Sequence, residues 1–237
     1  LVMVPIGWVF VRDRPENYGL RPDGLAADGD ADKESSAPVE HNWTRTQALR
    51  TSSFWLVVAG LASMSMLNTG LTFHLFSVFE DSGLSSAVAA SVFVPIAATG
   101  AVVQLVGGLL IGRVPIRVML AVSLSMMGLL LVLAPSLNSL AMAYFFGICM
   151  GVQGGLEMIV SSVVFANFFG RRHLGSIVGL ASTILVGASA LGPMPIGVAR
   201  DLLGGYAVVF GVFAILPFAL AVACLLFCKV PGAPPEE

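Results

Sequence analysis

Charged side chains are scarce in this 237-residue sequence: Asp, Glu, Lys and Arg supply only 11% of it, against about 25% in soluble domains. A chain so poor in charge cannot clothe a water-exposed surface. Its 57% hydrophobic content and mean hydropathy of +0.90 identify an integral membrane protein. Short alternating stretches are missing too. The apolar runs exceed the about 9–11 residues of a membrane β-strand, so the fold class is all-α. A net charge of −2 without a basic patch gives no support to nucleic-acid binding.

Cysteine is nearly absent. Cys149, Cys224 and Cys228 all lie in apolar runs, which argues against a disulfide framework. Cys224 and Cys228 stand four apart on one helix face with no His or carboxylate nearby in sequence, so they are expected to pack or face lipid, with no metal bound. Enzyme signatures are lacking as well: no HExxH, no GxSxG and no phosphate-cradling Gly-Lys-Ser/Thr loop. The chain is expected to be neither an enzyme nor an ATP-driven pump, and to need no cofactor. Its opening LVMVPIGWVFV has no charged leader and no cleavage site. Residues 1–11 instead read as the tail of a membrane helix, and the chain as about half of a longer protein.

What the sequence does contain is six long apolar spans, at residues 54–79, 87–111, 118–134, 140–167, 176–199 and 207–228. Residues 12–50 precede them as a polar linker, expected to be partly disordered because its middle, DGLAADGDADKESSAPVE, is acidic and weakly hydrophobic. Residues 230–237 form a short tail. The turns alternate in charge. GRVPIR carries Arg113 and Arg117, FFGRRHLG carries Arg171 and Arg172, and the intervening turns hold only Arg200. All but Arg200 of the 12 Lys and Arg therefore fall on one side, which the positive-inside rule makes cytoplasmic. The linker and both ends of the chain then face the cytosol, and the sequon Asn42-Trp43-Thr44 becomes a chance match. The second span ends GGLLIGRVPIR and the fifth LGPMPIGVARD, a weak repeat that splits the spans into two triplets of opposite topology.

The stretch from Tyr144 to Arg172 stands out because it holds Glu157, the only Asp, Glu, Lys or Arg deep within a span. Inserting a carboxylate there costs about 2.5 kcal/mol or more. Phe146, Met150, Gln153, Glu157 and Val164 share one helix face, read as the wall of a polar cavity. Gly147, Gly151 and Gly155 form a ridge roughly opposite, suited to close contact with another helix. Glu157 is a candidate proton-coupling residue, since a carboxyl in such a place can take up and release a proton. Gln153, one turn earlier, is a candidate hydrogen-bonder to substrate. Gln104, a lone amide in the second span, is a further substrate-binding candidate. Ser65, Asn68, Thr69 and Thr72 share a face of the first span, continued by Phe76 and Phe79. His74 points away from that face and reads as a packing or interfacial residue. Pro95, Pro193 and Pro195 can bend or break their helices.

Taken together these segments resemble a known family. Six helices after a long charged linker resemble the C-terminal half, helices seven to twelve, of a major facilitator superfamily transporter. RDRPENYGLRPDG (residues 12–24), ANFFGRRHLGSIVG (166–179) and GPMPIGVARDLLGGY (192–206) resemble segments of bacterial members related to monocarboxylate and oxalate/formate carriers. GRVPIR resembles the arginine-bearing turn after helix eight. The resemblance implies a six-helix half of that fold, built as a three-plus-three inverted repeat and working against an N-terminal half. It implies a multi-pass protein of the cell membrane that moves a small organic solute, a monocarboxylate among the options, with a proton or a counter-solute. It also implies that Asn68 and Thr72 contact substrate, and that Arg113, Arg117, Arg171 and Arg172 set topology and help close the cytoplasmic gate. Carriers of this group often place a basic residue inside helix eight or eleven, whereas spans 87–111 and 176–199 here hold no Lys or Arg. A multidrug or neutral-solute exporter, or a non-transporting membrane receptor on the same fold, are the alternative readings.

Overall fold

A computed structural model describes residues 42–233. The expected helix tail at 1–11, most of the linker and the last four residues lie outside the described residues. After a short helix α1 (Arg45–Leu49), the chain forms α2 (Ser52–Asp81), α3 (Ser86–Ser91) and α4 (Phe93–Leu110). There follow α5 (Ile116–Leu133), α6 (Leu140–Phe169), α7 (Leu174–Leu191), α8 (Pro193–Leu203) and α9 (Tyr206–Phe227). With α3–α4 and α7–α8 each counted as one interrupted span, these make six helices long and apolar enough to cross a membrane. No strand occurs among the described residues.

Side-chain caps fix several helix starts. The Thr51 hydroxyl accepts from the Phe54 amide at 3.2 Å, and Ser139 accepts from the Met142 amide at 3.3 Å. Both interrupted spans are the second of their triplet. The fifth breaks at Gly192, where Pro193 and Pro195 remove amide donors from the helix. The second breaks at Val92, three residues before Pro95. Pro217 lies inside α9, which nevertheless runs on.

The helix contacts obey one symmetry. The second span packs on α6 as the fifth packs on α2, α5 packs on α6 as α9 packs on α2, and α5 and α9 pack on each other. Exchanging the two triplets maps this pattern onto itself, which is the signature of an inverted repeat. Glycine makes both cross-packings close. A Cβ added to Gly151 would stand 2.5 Å from the Ile96 carbonyl oxygen and 2.9 Å from Thr99 Cβ. One added to Gly155 would meet Val103 at 2.7 Å. The expected ridge of Gly147, Gly151 and Gly155 is thus the seat of α3 and α4. At the related crossing, a Cβ on Gly192 would collide with the Met66 carbonyl oxygen, and one on Gly70 would stand 2.5 Å from Ile196 Cδ1.

The end of the linker is tied to the bundle. Trp43 is buried, its amide donates to the Phe169 carbonyl at 2.9 Å, and its ring meets Phe169 edge-on. The Asn42 side chain accepts from the Arg172 amide at 3.1 Å. A Thr44–Gln47 capping box then starts α1. Charge and turn residues conceal the one large apolar anchor, Trp43, that fixes this stretch to the bundle.

Candidate functional site

The α6 face that carries Gln153 and Glu157 looks inward, against α2 and α5. Phe146 and Val164 are fully buried on it, Met150 nearly so, and Gln153 has no exposed surface at all. This corrects the expected cavity wall. The glycine ridge and the polar face both have helices against them, because α6 touches α2, α4 and α5 at once. Gln153 Nε2 donates to Glu157 Oε2 at 3.0 Å, one turn along the same helix, and lies 3.7 Å from Met64 Sδ. Ser123 of α5 donates to Met64 Sδ at 3.3 Å and reaches the Gln153 carbonyl at 3.4 Å. Three helices therefore meet around one amide.

That amide is incompletely served. Gln153 Oε1 is buried and accepts no hydrogen bond, a state that costs about 1–3 kcal/mol. Glu157 itself is only partly buried. The arrangement thus joins an ionisable group with partial access to its surroundings to a sealed amide that keeps one free acceptor. Met64 and Ser123 are the members that sequence reasoning missed, since neither a thioether nor a lone serine in a long apolar run marks itself as a partner.

The other candidates are dispersed. Asn68 and Thr72 are half-buried on α2, and Ser65 on the same side donates to the Leu185 carbonyl of α7 at 3.2 Å. Gln104 is exposed on α4. Neither Asn68, Thr72 nor Gln104 is joined to the Gln153–Glu157 pair by a hydrogen bond. Arg113, Arg171 and Arg172 are exposed in the turns that follow the second and fourth spans, and Arg117 is exposed in the first turn of α5. Within α7 only Ile177 and Ala181 are buried, and Ser182 and Thr183 are exposed. Sequence alone does not single out these two hydroxyls, because short polar side chains are ordinary in membrane helices. The three cysteines are buried, and the Cys224 thiol lies 4.0 Å from the Leu56 carbonyl oxygen.

A second polar cluster ties the opposite helix ends together. His74 Nε2 lies 3.0 Å from the Pro193 carbonyl and Nδ1 lies 3.0 Å from the Tyr206 hydroxyl. A carbonyl can only accept, so Nε2 carries the hydrogen and Nδ1 accepts from Tyr206. Arg200 grips Asp81 through contacts of 3.0 and 3.2 Å and lies 5.2 Å over the Tyr206 ring. A cleft of about 610 Å³ opens beside Asp81, Ser82, Arg200, Asp201 and Tyr206. Asp81 is 17 residues beyond Met64 on α2, about 25 Å by helical rise, so this cleft is remote from the Gln153 amide. His74 thus packs, as expected, and does so by joining α2, α8 and α9. Replacing it with Phe should lower stability by about 1 kcal/mol, because Pro193 and Tyr206 lose their partner in a partly buried setting. Thermal unfolding in detergent measures this, and an unchanged midpoint would contradict it.

Comparison with curated proteins finds no match. A family model described as Major Facilitator Superfamily matches residues 1–193.

Proposed function

The chain belongs to the Major Facilitator Superfamily, whose members are membrane transporters and not enzymes, and we propose that it forms the C-terminal half of a proton-coupled carrier of small monocarboxylates. The six spans and their inverted repeat fit one half of that fold. In this reading the N-terminal half supplies the other wall of a midplane site, and the two halves rock about it. Asn68, Thr72 and Gln104 face substrate during the cycle, and the arginine-bearing turns close the cytoplasmic side.

The Gln153–Glu157 pair carries the proposal of proton coupling. Gln153 offers a partner to either protonation state of the acid. Ionised Glu157 accepts from Nε2, the contact that measures 3.0 Å. Neutral Glu157 donates instead to Oε1, after a half-turn of the amide brings that atom round. The acceptor that now stands empty is the one the protonated acid needs. Both states of the partly buried acid are thereby hydrogen-bonded, and the proton can come and go without leaving an unpartnered charge. Gln153 is then a positioning residue for the proton, and substrate contact falls to other side chains.

The similarity of residues 12–24 and 166–179 to monocarboxylate and oxalate/formate carriers supports the choice of substrate. Saturable carboxylate uptake by the full-length protein in liposomes tests it. Binding of lipophilic cations with no carboxylate flux favours an exporter, and binding without flux favours a receptor. Orientation follows from charge. Ser85→Cys, in the turn after the first span, should react with an impermeant thiol reagent added outside whole cells, and Arg172→Cys should not. The reverse pattern overturns the topology.

A further inference from the structure

Two recesses lie end to end along the seam between α5 and α9. The first, of about 280 Å³, is lined by Arg117, Asn167, Phe168, Cys228 and Lys229 among others. The second, of about 420 Å³, runs between Val118, Val122, Ser125 and Leu129 of α5 and Phe218 and Leu225 of α9. Arg117 adjoins Val118 in sequence, and Leu225 stands one turn before Lys229. One recess is therefore the head of the other. The two differ sharply in chemistry. The first gathers two exposed cations and an amide, whereas the second is apolar apart from Ser125, with Val122, Leu129, Phe218 and Leu225 all substantially exposed.

Among the described residues neither cation has an acidic partner. The acids among the described residues are Glu80, Asp81, Glu157 and Asp201. Three of these sit at the opposite helix ends, Glu157 binds Gln153, and none pairs with Arg117 or Lys229. Lys229 is held in place, since its carbonyl accepts from the Ser53 hydroxyl at 2.6 Å. The groove has a telling length. Leu129 lies 11 residues beyond Val118, about 16 Å along the helix, or half of the about 30 Å hydrocarbon core. An anionic head followed by an apolar tail one leaflet deep is the shape of a phospholipid, and basic recesses between membrane helices suit such head groups.

We propose that the α5–α9 seam binds one anionic phospholipid, its phosphate between Arg117 and Lys229 and an acyl chain along Val122, Leu129 and Phe218. This assignment does not depend on the transported substrate. The test is native mass spectrometry of the full-length protein released from nanodiscs of equal phosphatidylglycerol and phosphatidylcholine. One retained phosphatidylglycerol is expected, in preference to phosphatidylcholine. The Arg117→Gln/Lys229→Gln variant should lose that preference roughly thirtyfold, two cations at about fivefold each. Arg113→Gln/Arg172→Gln removes the same charge elsewhere and should leave it intact. Val122→Trp, which fills the groove and keeps the cations, should also release the lipid. Should the first variant fail to fold, the Trp variant decides alone. Equal retention of both lipids by the wild type overturns the proposal, as does equal loss in the two double variants. Retention unaffected by Val122→Trp, with inorganic phosphate displacing the lipid, reduces the site to an anion contact and overturns it too.

Discussion

Glu157→Gln in the full-length carrier should fold, abolish uptake driven by a pH gradient and leave substrate-for-substrate exchange running. Folding survives because the amide keeps the size of the acid and its hydrogen-bonding capacity toward Gln153, whose Nε2 already donates to this position at 3.0 Å. Proton-driven uptake fails because an amide cannot cycle a proton. Exchange persists because it returns the loaded carrier and need not discharge the site. Three outcomes separate the roles. A structural role leaves both fluxes intact in Gln and lowers expression in Leu, which strands the Gln153 donor. Direct contact with a cationic substrate weakens binding at every pH and stops exchange as well. The measurement is paired flux in matched proteoliposomes, and full proton-driven uptake by Glu157→Gln defeats the coupling role.

The second large effect concerns packing. Gly151→Leu should lower stability by at least about 1–3 kcal/mol, the usual cost of overpacking. The atoms in its way are largely main chain: the Ile96 carbonyl at 2.5 Å and the Gly100 amide nitrogen at 3.1 Å from the new Cβ. Backbone cannot step aside as a flexible side chain does, so α4 and α6 must part. Gly154→Leu supplies the control on the same helix. Its Cβ meets nothing within 4 Å, and leaving glycine improves helix propensity by up to about 1 kcal/mol. Melting both variants in one detergent compares them, with Gly151→Leu well below wild type and Gly154→Leu at or above it. Equal midpoints would show that the ridge is not a close-contact surface.

The spans and the glycine ridge were legible because hydropathy and small-residue spacing are local properties of the chain. The repeat was faintly visible at Ile111-Gly112 and Ile196-Gly197, and the symmetric helix contacts strengthen it. Gln153 shows where local reading stops. Periodicity identifies which side chains share a face, yet what covers that face depends on α2 and α5, whose Met64 and Ser123 lie 89 and 30 residues away. In the sequence Arg200 stands out only as the one Lys or Arg on its side of the membrane. Its partner Asp81, 119 residues distant, becomes visible only once α2 and α8 end side by side. Trp43 was lost among charges because a single aromatic anchor leaves no periodic trace.

Proton movement accompanying substrate tests the functional account most directly. The full-length protein is placed in liposomes that enclose a pH-sensitive dye, with no gradient imposed, and a carboxylate that does not cross protein-free membranes is added outside. Inward movement of substrate should acidify the interior in proportion to the amount taken up. Glu157→Gln should abolish that acidification. Wild-type uptake of the same carboxylate with no change in internal pH would contradict proton coupling through the Gln153–Glu157 pair.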